Sequence, residues 1–273
     1  MSDDFIRKEL EYFKPMSSRQ KNATNEMRLA WQKETVRERT ERISLETYEM
    51  CAGTVIYGPF KGLKLNKETW WGKSDLGSQC LGLYEKEVLN FIQRSKITFD
   101  TFVDIGAGDG YYATGMLVAG FVKKSVCFEI SKIGRKKILE NWKGNNSIGS
   151  IDIFGEATKK KIIDLPIEKL GKTLILIDIE GNEFELLSRK VLSCLKNSFL
   201  IIEIHNWVEG FESKYSKLLE DIFCYFNVKV LEQVERETFK LNELRSYTDD
   251  NRLLLTSEQR PCRMRFLTLT PKL

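Results

Sequence analysis

Histidine is almost missing from this chain: His205 is the only one among 273 residues. The six cysteines, at 51, 80, 127, 194, 224 and 262, form no Cys-x-x-Cys pair. Together these exclude a structural zinc ribbon or finger, which needs closely spaced Cys and His ligands. Long apolar runs are missing too. None approaches the roughly eighteen residues of a membrane helix, and the opening MSDDFIRKELEYF lacks the apolar core of a secretion signal. No membrane partner is expected. Nor is there an excess of one charge, since 43 Lys+Arg against 39 Asp+Glu leave a net +4. The basic residues are scattered, and the densest run, Lys159–Lys161, reads as a solvated loop rather than a phosphate track. With no Asn/Asp-Pro-Pro-aromatic motif of base-modifying enzymes either, no nucleic-acid partner is expected. Cys127 in VCFEI and Cys224 in IFCYF lie in apolar runs and read as buried free thiols of a reducing, cytoplasmic compartment.

What is present is an ordinary core composition, 42% hydrophobic and 11% aromatic. Residues 1–53 are charge-dense and glycine-poor. Met27, Ala30, Trp31, Val36 and Ile43 give a thin stripe at helical spacing. This predicts a helical N-terminal extension that leans on the main body or on a second subunit, as in a homodimer. From residue 54 to 273 a single α/β domain is expected. TVIYGPFKGLKL reads as a hairpin or ordered loop, and SQCLGLYEKEVLNFIQRS as one helical stretch. Strands are predicted at 99–105, 124–130, 150–155, 173–179 and 198–205, with helices between them at 110–120, 132–144 and 183–194. TLILIDI and FLIIEI are apolar throughout, as strands of a covered parallel sheet are. A helix at 213–226 and two more strands follow, the last (RMRFLTLT) alternating like an antiparallel edge or return strand.

The stretch TFVDIGAGDGYYATG places Asp104 at a strand end before Gly106, Gly108 and Gly110. Such glycines let a backbone approach a ligand at the start of a helix. A dinucleotide fingerprint needs glycine where Tyr111 stands, and no Gly-Lys-Ser/Thr follows, so neither NAD nor a P-loop nucleotide fits. Asp104 would repel a pyrophosphate but suits an ammonium or sulfonium. Glu129 ends the second strand, where a carboxylate can accept both ribose hydroxyls, and Glu156 ends the third, near where an adenine amino group would lie. Three acids in order on three successive strands describe an S-adenosylmethionine pocket.

Further on, IDIEG and IIEIH carry Asp178 with Glu180, and Glu203 with His205, each pair two residues apart and so on one side of its strand. If the strands are adjacent, all four groups converge at the carboxyl edge. Hard oxygens with one imidazole suit Mg²⁺ or Mn²⁺. The same set without metal could form a proton acceptor, and this metal-free base is the favoured reading. Glu203 reads as a support for His205. Asn182 with Glu185 resembles a capping box, making Glu183 and Glu185 helix-start residues. Trp70 and Trp71 could stack on a sugar ring or pack in a lid, and Tyr84 and Glu85, placed on the helix before the first strand, could close over the cofactor's amino-acid end.

The set VDIGAGDGYYATG, FEI, GEAT, IDIEGNEFELL and IIEIH resembles the FkbM-type family of S-adenosylmethionine-dependent methyltransferases, and GPFKGLKL…WWG…LGLYEKEV looks like a lead-in found in that family. The resemblance covers roughly residues 55–210. It implies a class I, Rossmann-like fold with a seven-stranded, mostly parallel sheet covered by helices on both faces. It also implies O-methyl transfer to a hydroxyl of a sugar, glycan or other small molecule. Carried over by position, Asp104, Gly106, Ala107, Gly108, Asp109, Gly110, Tyr111 and Tyr112 would hold the cofactor, with Glu129, Ile130, Glu156 and Ala157. Asp178 and Glu180 would border the methyl group, and His205 or Glu180 would act as base. An amine or phosphate-type oxygen as acceptor, or a non-catalytic binding module, are the alternatives.

Overall fold

The computed structural model describes residues 2–13, 22–31, 33–95 and 97–272. Among the described residues the chain opens with α1 (Ser2–Phe13), α2 (Asn25–Trp31) and α3 (Val36–Met50). Next come α4 (Leu76–Cys80) and α5 (Lys86–Arg94). Strands and helices then alternate as β1 (Thr101–Ile105), α6 (Tyr111–Val118), β2 (Lys124–Phe128), α7 (Lys132–Gly144), β3 (Ser150–Phe154), α8 (Lys159–Ile163) and β4 (Thr173–Ile177). The remainder is α9 (Glu183–Leu186), α10 (Arg189–Leu195), β5 (Phe199–Ile204), α11 (Phe211–Phe223), β6 (Phe226–Leu231), α12 (Asp249–Leu255) and β7 (Arg265–Pro271). No described helix is long and apolar enough to cross a membrane.

The seven strands form one sheet in the order β3-β2-β1-β4-β5-β7-β6, with β7 alone antiparallel to its neighbours. This is the seven-stranded, mostly parallel sheet that the sequence leads one to expect. The apolar runs of β1, β4 and β5 are explained by their central places. Val103, Ile105, Ile175 and Ile177 pack to one face with α10 and α11, while Phe102, Leu174 and Leu176 pack to the other with α5 and α6. Both faces are covered, so neither strand can alternate.

Several local expectations are corrected. Of the two forms expected for RMRFLTLT, the antiparallel return strand is the one found and the edge position is not: β7 sits between β5 and β6, with Thr268 buried and its hydroxyl donating to Lys229 O. Thr268 is compatible with burial because its hydroxyl finds this backbone partner. The stretch from residue 78 to 95 breaks between α4 and α5, because Gly82 (φ +62) lies against Tyr57 O and Glu85 (φ +42) is left-handed. Tyr84 and Glu85 therefore stand in the turn before α5. Thr54–Leu65 is an ordered loop with a lone Thr54–Lys64 bridge around buried Phe60. Lys159–Lys161 opens α8, capped by Thr158, and Cys224 is exposed at the end of α11.

In the N-terminal region, among the described side chains of the expected stripe, Met27 and Val36 are exposed and Ile43 is buried. The side chains of Ala30 and Trp31 lie outside the described residues. Helix α3 begins with a full capping box between Thr35 and Glu38. It packs on α4 and α12 through Ile43, Cys51, Cys80 and Leu255. Gly77 makes the α3–α4 approach possible: a Cβ there would lie 2.9 Å from Ser44 Cα and 2.7 Å from Leu255 Cδ1. Its N–H donates to Ser44 Oγ at 2.8 Å, and that hydroxyl donates to Lys73 O. Gly77→Ala is expected to destabilise the fold by about 1–3 kcal/mol, read as a lowered urea midpoint. An unchanged midpoint would mean that the two helices do not pack this closely.

Candidate functional site

A cavity of about 570 Å³ opens at the carboxyl ends of β1, β2, β3 and β4. It straddles the point between β1 and β4 where the strand order reverses, the place where open α/β sheets bind ligands. The glycine loop shapes its floor. A Cβ on Gly106 (φ +96) would fall 1.7 Å from Asp178 O, so only glycine lets β1 and β4 diverge here. Gly108 (φ +53) has open space where a side chain would point. Gly110, by contrast, packs against Ile138 and lies off the cavity wall. Asp109 accepts the N–H groups of Trp70 (2.9 Å) and Trp71 (3.2 Å), drawing that segment over the loop. Both tryptophans line the cavity; Trp71 is exposed at its mouth, and the buried Trp70 indole N–H has no partner.

Asp104, Ala107, Tyr111, Tyr112, Glu129, Ile130, Glu156 and Ala157 all reach the wall, as do Tyr84 and Glu85. The Glu129 carboxylate is held by Gly108 N–H (2.9 Å) and Ser131 N–H (2.7 Å). Gly134 leaves room for it and for Trp70, since a Cβ there would meet both at 2.8 Å. Ile130 is 72% exposed, an apolar platform beside the carboxylate. Glu85 accepts the Tyr112 hydroxyl at 2.7 Å.

The wall carries nine carboxylates: Asp75, Glu85, Asp104, Asp109, Glu129, Glu156, Asp178, Glu180 and Glu185. Among the described residues Lys159 is the one basic side chain facing them. Burial, then Asp178, push Asp104 up to about 8 against a backbone hydrogen bond from Ala113. Burial, Asp178 and Glu258 likewise push Glu85 to about 8, opposed by Tyr112 and Arg260. Burial and mutual repulsion keep these groups from ionising together, and a bound cation would offset both, so the cavity favours a cation.

Strands β4 and β5 are adjacent and parallel, and the two acid pairs do converge. His205 Nε2 lies 3.4 Å from Asp178 Oδ1, 3.6 Å from Glu203 Oε2 and 3.7 Å from Glu180 Oε2. Asp178 and Glu180 reach the cavity, whereas Glu203 and His205 stand behind them. His205 is fully buried, with Trp207 edge-on at 4.8 Å. Burial opposes its charge, but Asp178 and Glu183 outweigh that and raise it to about 9. Holding a proton in the metal-free site and buried behind Asp178 and Glu180, it is not a free base. Glu180, raised by burial and by Asp178, is better placed.

Sequence reasoning missed two partners. Glu183 does not serve a capping box, because Asn182 makes no side-chain cap. Instead its carboxylate, fully buried, accepts His205 N–H at 2.9 Å, contacts Nδ1 at 3.1 Å, and accepts Gly181 N–H at 2.9 Å. Arg260, far away in sequence, holds Glu203 Oε1 at 3.0 Å and Glu258 at 2.9 Å. No spacing rule links it to β5.

No family model matches the chain, and no curated protein matches it. Solved structures with similar folds exist. TYW2 from P. horikoshii in complex with MeSAdo is 16% identical with a TM-score of 0.42, over 68% of this chain and 61% of that one. The chain thus spans less than two thirds of TYW2. An rRNA methylase from Streptococcus thermophilus is 12% identical (TM-score 0.42, 67% of this chain and 93% of that one). SMU.1697c from Streptococcus mutans, in complex with SAH, is 11% identical (TM-score 0.41, 67% and 94%). Likeness at this distance assigns neither reaction nor substrate.

The sign of the charge effect is testable. Asp104 titrates near 3.8 unfolded and about 8 folded, so the folded state binds the extra proton between those values. Stability is then lost as pH rises from about 4 towards 8. His205, at 6.5 unfolded and about 9 folded, acts in the same direction between those values. The melting temperature of the ligand-free protein is expected to fall between pH 5 and 9. Asp104→Asn, which mimics the protonated acid, should flatten the fall below pH 8. A midpoint that climbs over this range in the unaltered chain, or an equally steep fall in the variant, would contradict the assignment.

Proposed function

We propose that the chain is an S-adenosylmethionine-dependent methyltransferase that methylates a hydroxyl of a small, phosphate-free acceptor. The observation that carries this is the acidic cavity at the strand-order reversal, with Asp104 beside Gly106 and Glu129 beside Ile130. The cofactor brings an ammonium and a sulfonium, the charges that such a wall favours. Its adenosine would lie along Ile130 and Ala157, its ribose diol on Glu129, its amino-acid end near Asp104 and Glu85. A phosphate-rich acceptor is disfavoured by the same carboxylates, which speaks against nucleic acid and against a phosphate-type oxygen. The resemblance to FkbM-type enzymes supports a carbohydrate hydroxyl, and Trp71 at the mouth offers an aromatic face for a sugar ring. Free thiols throughout suit a reducing compartment. Residues 54–273 would carry the chemistry, with 1–53 as the helical extension.

In this reading bound S-adenosylmethionine would supply an electrophilic methyl group to the acceptor oxygen, the new C–O bond balanced by loss of the C–S bond and release of S-adenosylhomocysteine. Holding the three atoms in line supplies most of the rate. The hydroxyl proton passes to Glu180, a step worth roughly 10²–10⁴-fold.

Calorimetry is expected to show binding of S-adenosylmethionine and S-adenosylhomocysteine but not of NAD or ATP. Glu129→Ala should weaken it about tenfold or more, through the loss of charged hydrogen bonds to the ribose. Glu180→Gln should leave cofactor affinity intact and slow methyl transfer to a sugar acceptor by roughly 10²-fold or more. NAD binding in place of S-adenosylhomocysteine, or full affinity in Glu129→Ala, would sink the proposal.

A further inference from the structure

At the back of the cavity, three side chains from the carboxyl ends of β4 and β5 aim donor atoms at one another. Asp178, Glu203 and His205 each offer one ligand atom, all within 4.8 Å of one another. Two of these atoms, His205 Nε2 and Asp178 Oδ1, are shut off from solvent and have no hydrogen-bond partner. Their 3.4 Å separation is a contact without hydrogen-bond geometry. A fully buried imidazole nitrogen with no partner costs on the order of 1–3 kcal/mol, so the arrangement calls for a third body.

We infer that Asp178, Glu203 and His205 hold a divalent cation of the magnesium or manganese class beside the methyl-transfer site. The surroundings are those of a metal centre. Glu183 engages Nδ1 at 3.1 Å and the backbone N–H of the same residue at 2.9 Å, which fixes the ring with Nε2 towards the acids. A carboxylate behind a ligating histidine is the usual way such a ring is oriented. Arg260 holds Glu203 Oε1 and leaves Oε2 facing His205. Neighbouring donors around an octahedral ion at about 2.1 Å stand roughly 3 Å apart. The observed 3.4 and 3.6 Å need to close by only a few tenths of an ångström. Two carboxylate oxygens and one imidazole suit Mn²⁺ or Mg²⁺ better than zinc. Asp178 lines the cavity, so the ion's open positions face the acceptor. There it would bind the acceptor hydroxyl and ease the departure of its proton to Glu180. This role rests on the methyltransferase reading; the binding site itself does not.

The test uses the full chain, stripped with EDTA and dialysed. Mn²⁺ is titrated and the free ion is read by electron paramagnetic resonance, while calorimetry measures S-adenosylhomocysteine on the same sample. One bound Mn²⁺ per chain is expected. Asp178→Asn and Glu203→Gln should each weaken it at least tenfold, and Glu183→Gln roughly ten- to hundredfold. Melting curves show that each variant is folded, and Asp178, half-exposed, is the change the fold tolerates most easily. No Mn²⁺ bound, or undiminished affinity in folded Asp178→Asn and Glu203→Gln, would overturn the metal site. S-adenosylhomocysteine binding without Mn²⁺ overturns the metal site and leaves the function standing. Mn²⁺ binding without S-adenosylhomocysteine does the reverse.

Discussion

Like charges held close in a poorly hydrated cleft are the constraint on which this structure turns. Asp104, Asp178, Glu85 and Glu203 come from different segments, yet burial and mutual repulsion raise three of them, Asp104, Glu85 and Glu203, out of the ordinary carboxylate range. A fold gains nothing from such a gathering by itself, since each buried acid costs free energy unless it is neutralised or paired. Arg260 and His205 answer part of the charge. The remainder is left on the cavity wall, directed at whatever enters.

The fold makes this gathering geometrically possible in two places. Gly106 lets β1 and β4 separate without a side chain colliding with Asp178 O. Gly181, whose absent Cβ would meet Val208 at 2.5 Å, lets the chain turn so that Glu183 reaches back to His205. Both glycines take positive φ, which other residues adopt only with strain. Substituting either would disturb the acid cluster before it disturbed the sheet. The segment carrying Trp70 and Trp71 is tied to the glycine loop through Asp109, so cavity cover and cavity floor are linked by one carboxylate.

Much of this was legible from the chain alone, for physical reasons. The uninterrupted apolar runs of β4 and β5 could only be strands covered on both faces, and their period-two acids had to share an edge. The glycine loop, with Glu129 and Glu156 after the next two strands, marked most of the cavity wall, Gly110 excepted. Other features were not legible. Asn182-Glu183-Phe184-Glu185 satisfies a local capping rule that the tertiary contact with His205 overrides. Gly82 breaks what helical spacing alone reads as one helix, placing Tyr84 and Glu85 in a turn. The pairing of β7 with β5, and of Arg260 with Glu203, depends on chain return over dozens of residues, where local pattern carries no information. His205 could be placed at a strand end, but not that its ring would be buried behind Asp178 and Glu180 instead of lining the cavity.

The central claim is that this acidic cavity is built around a cationic nucleoside. A crystal structure of the chain with S-adenosylhomocysteine tests it most directly. The account expects the ribose hydroxyls on the Glu129 carboxylate, the adenine against Ile130 and Ala157, and the amino group within hydrogen-bond reach of Asp104 or Glu85. A ligand bound elsewhere, or seated with its ammonium away from these acids and its ribose off Glu129, would contradict it.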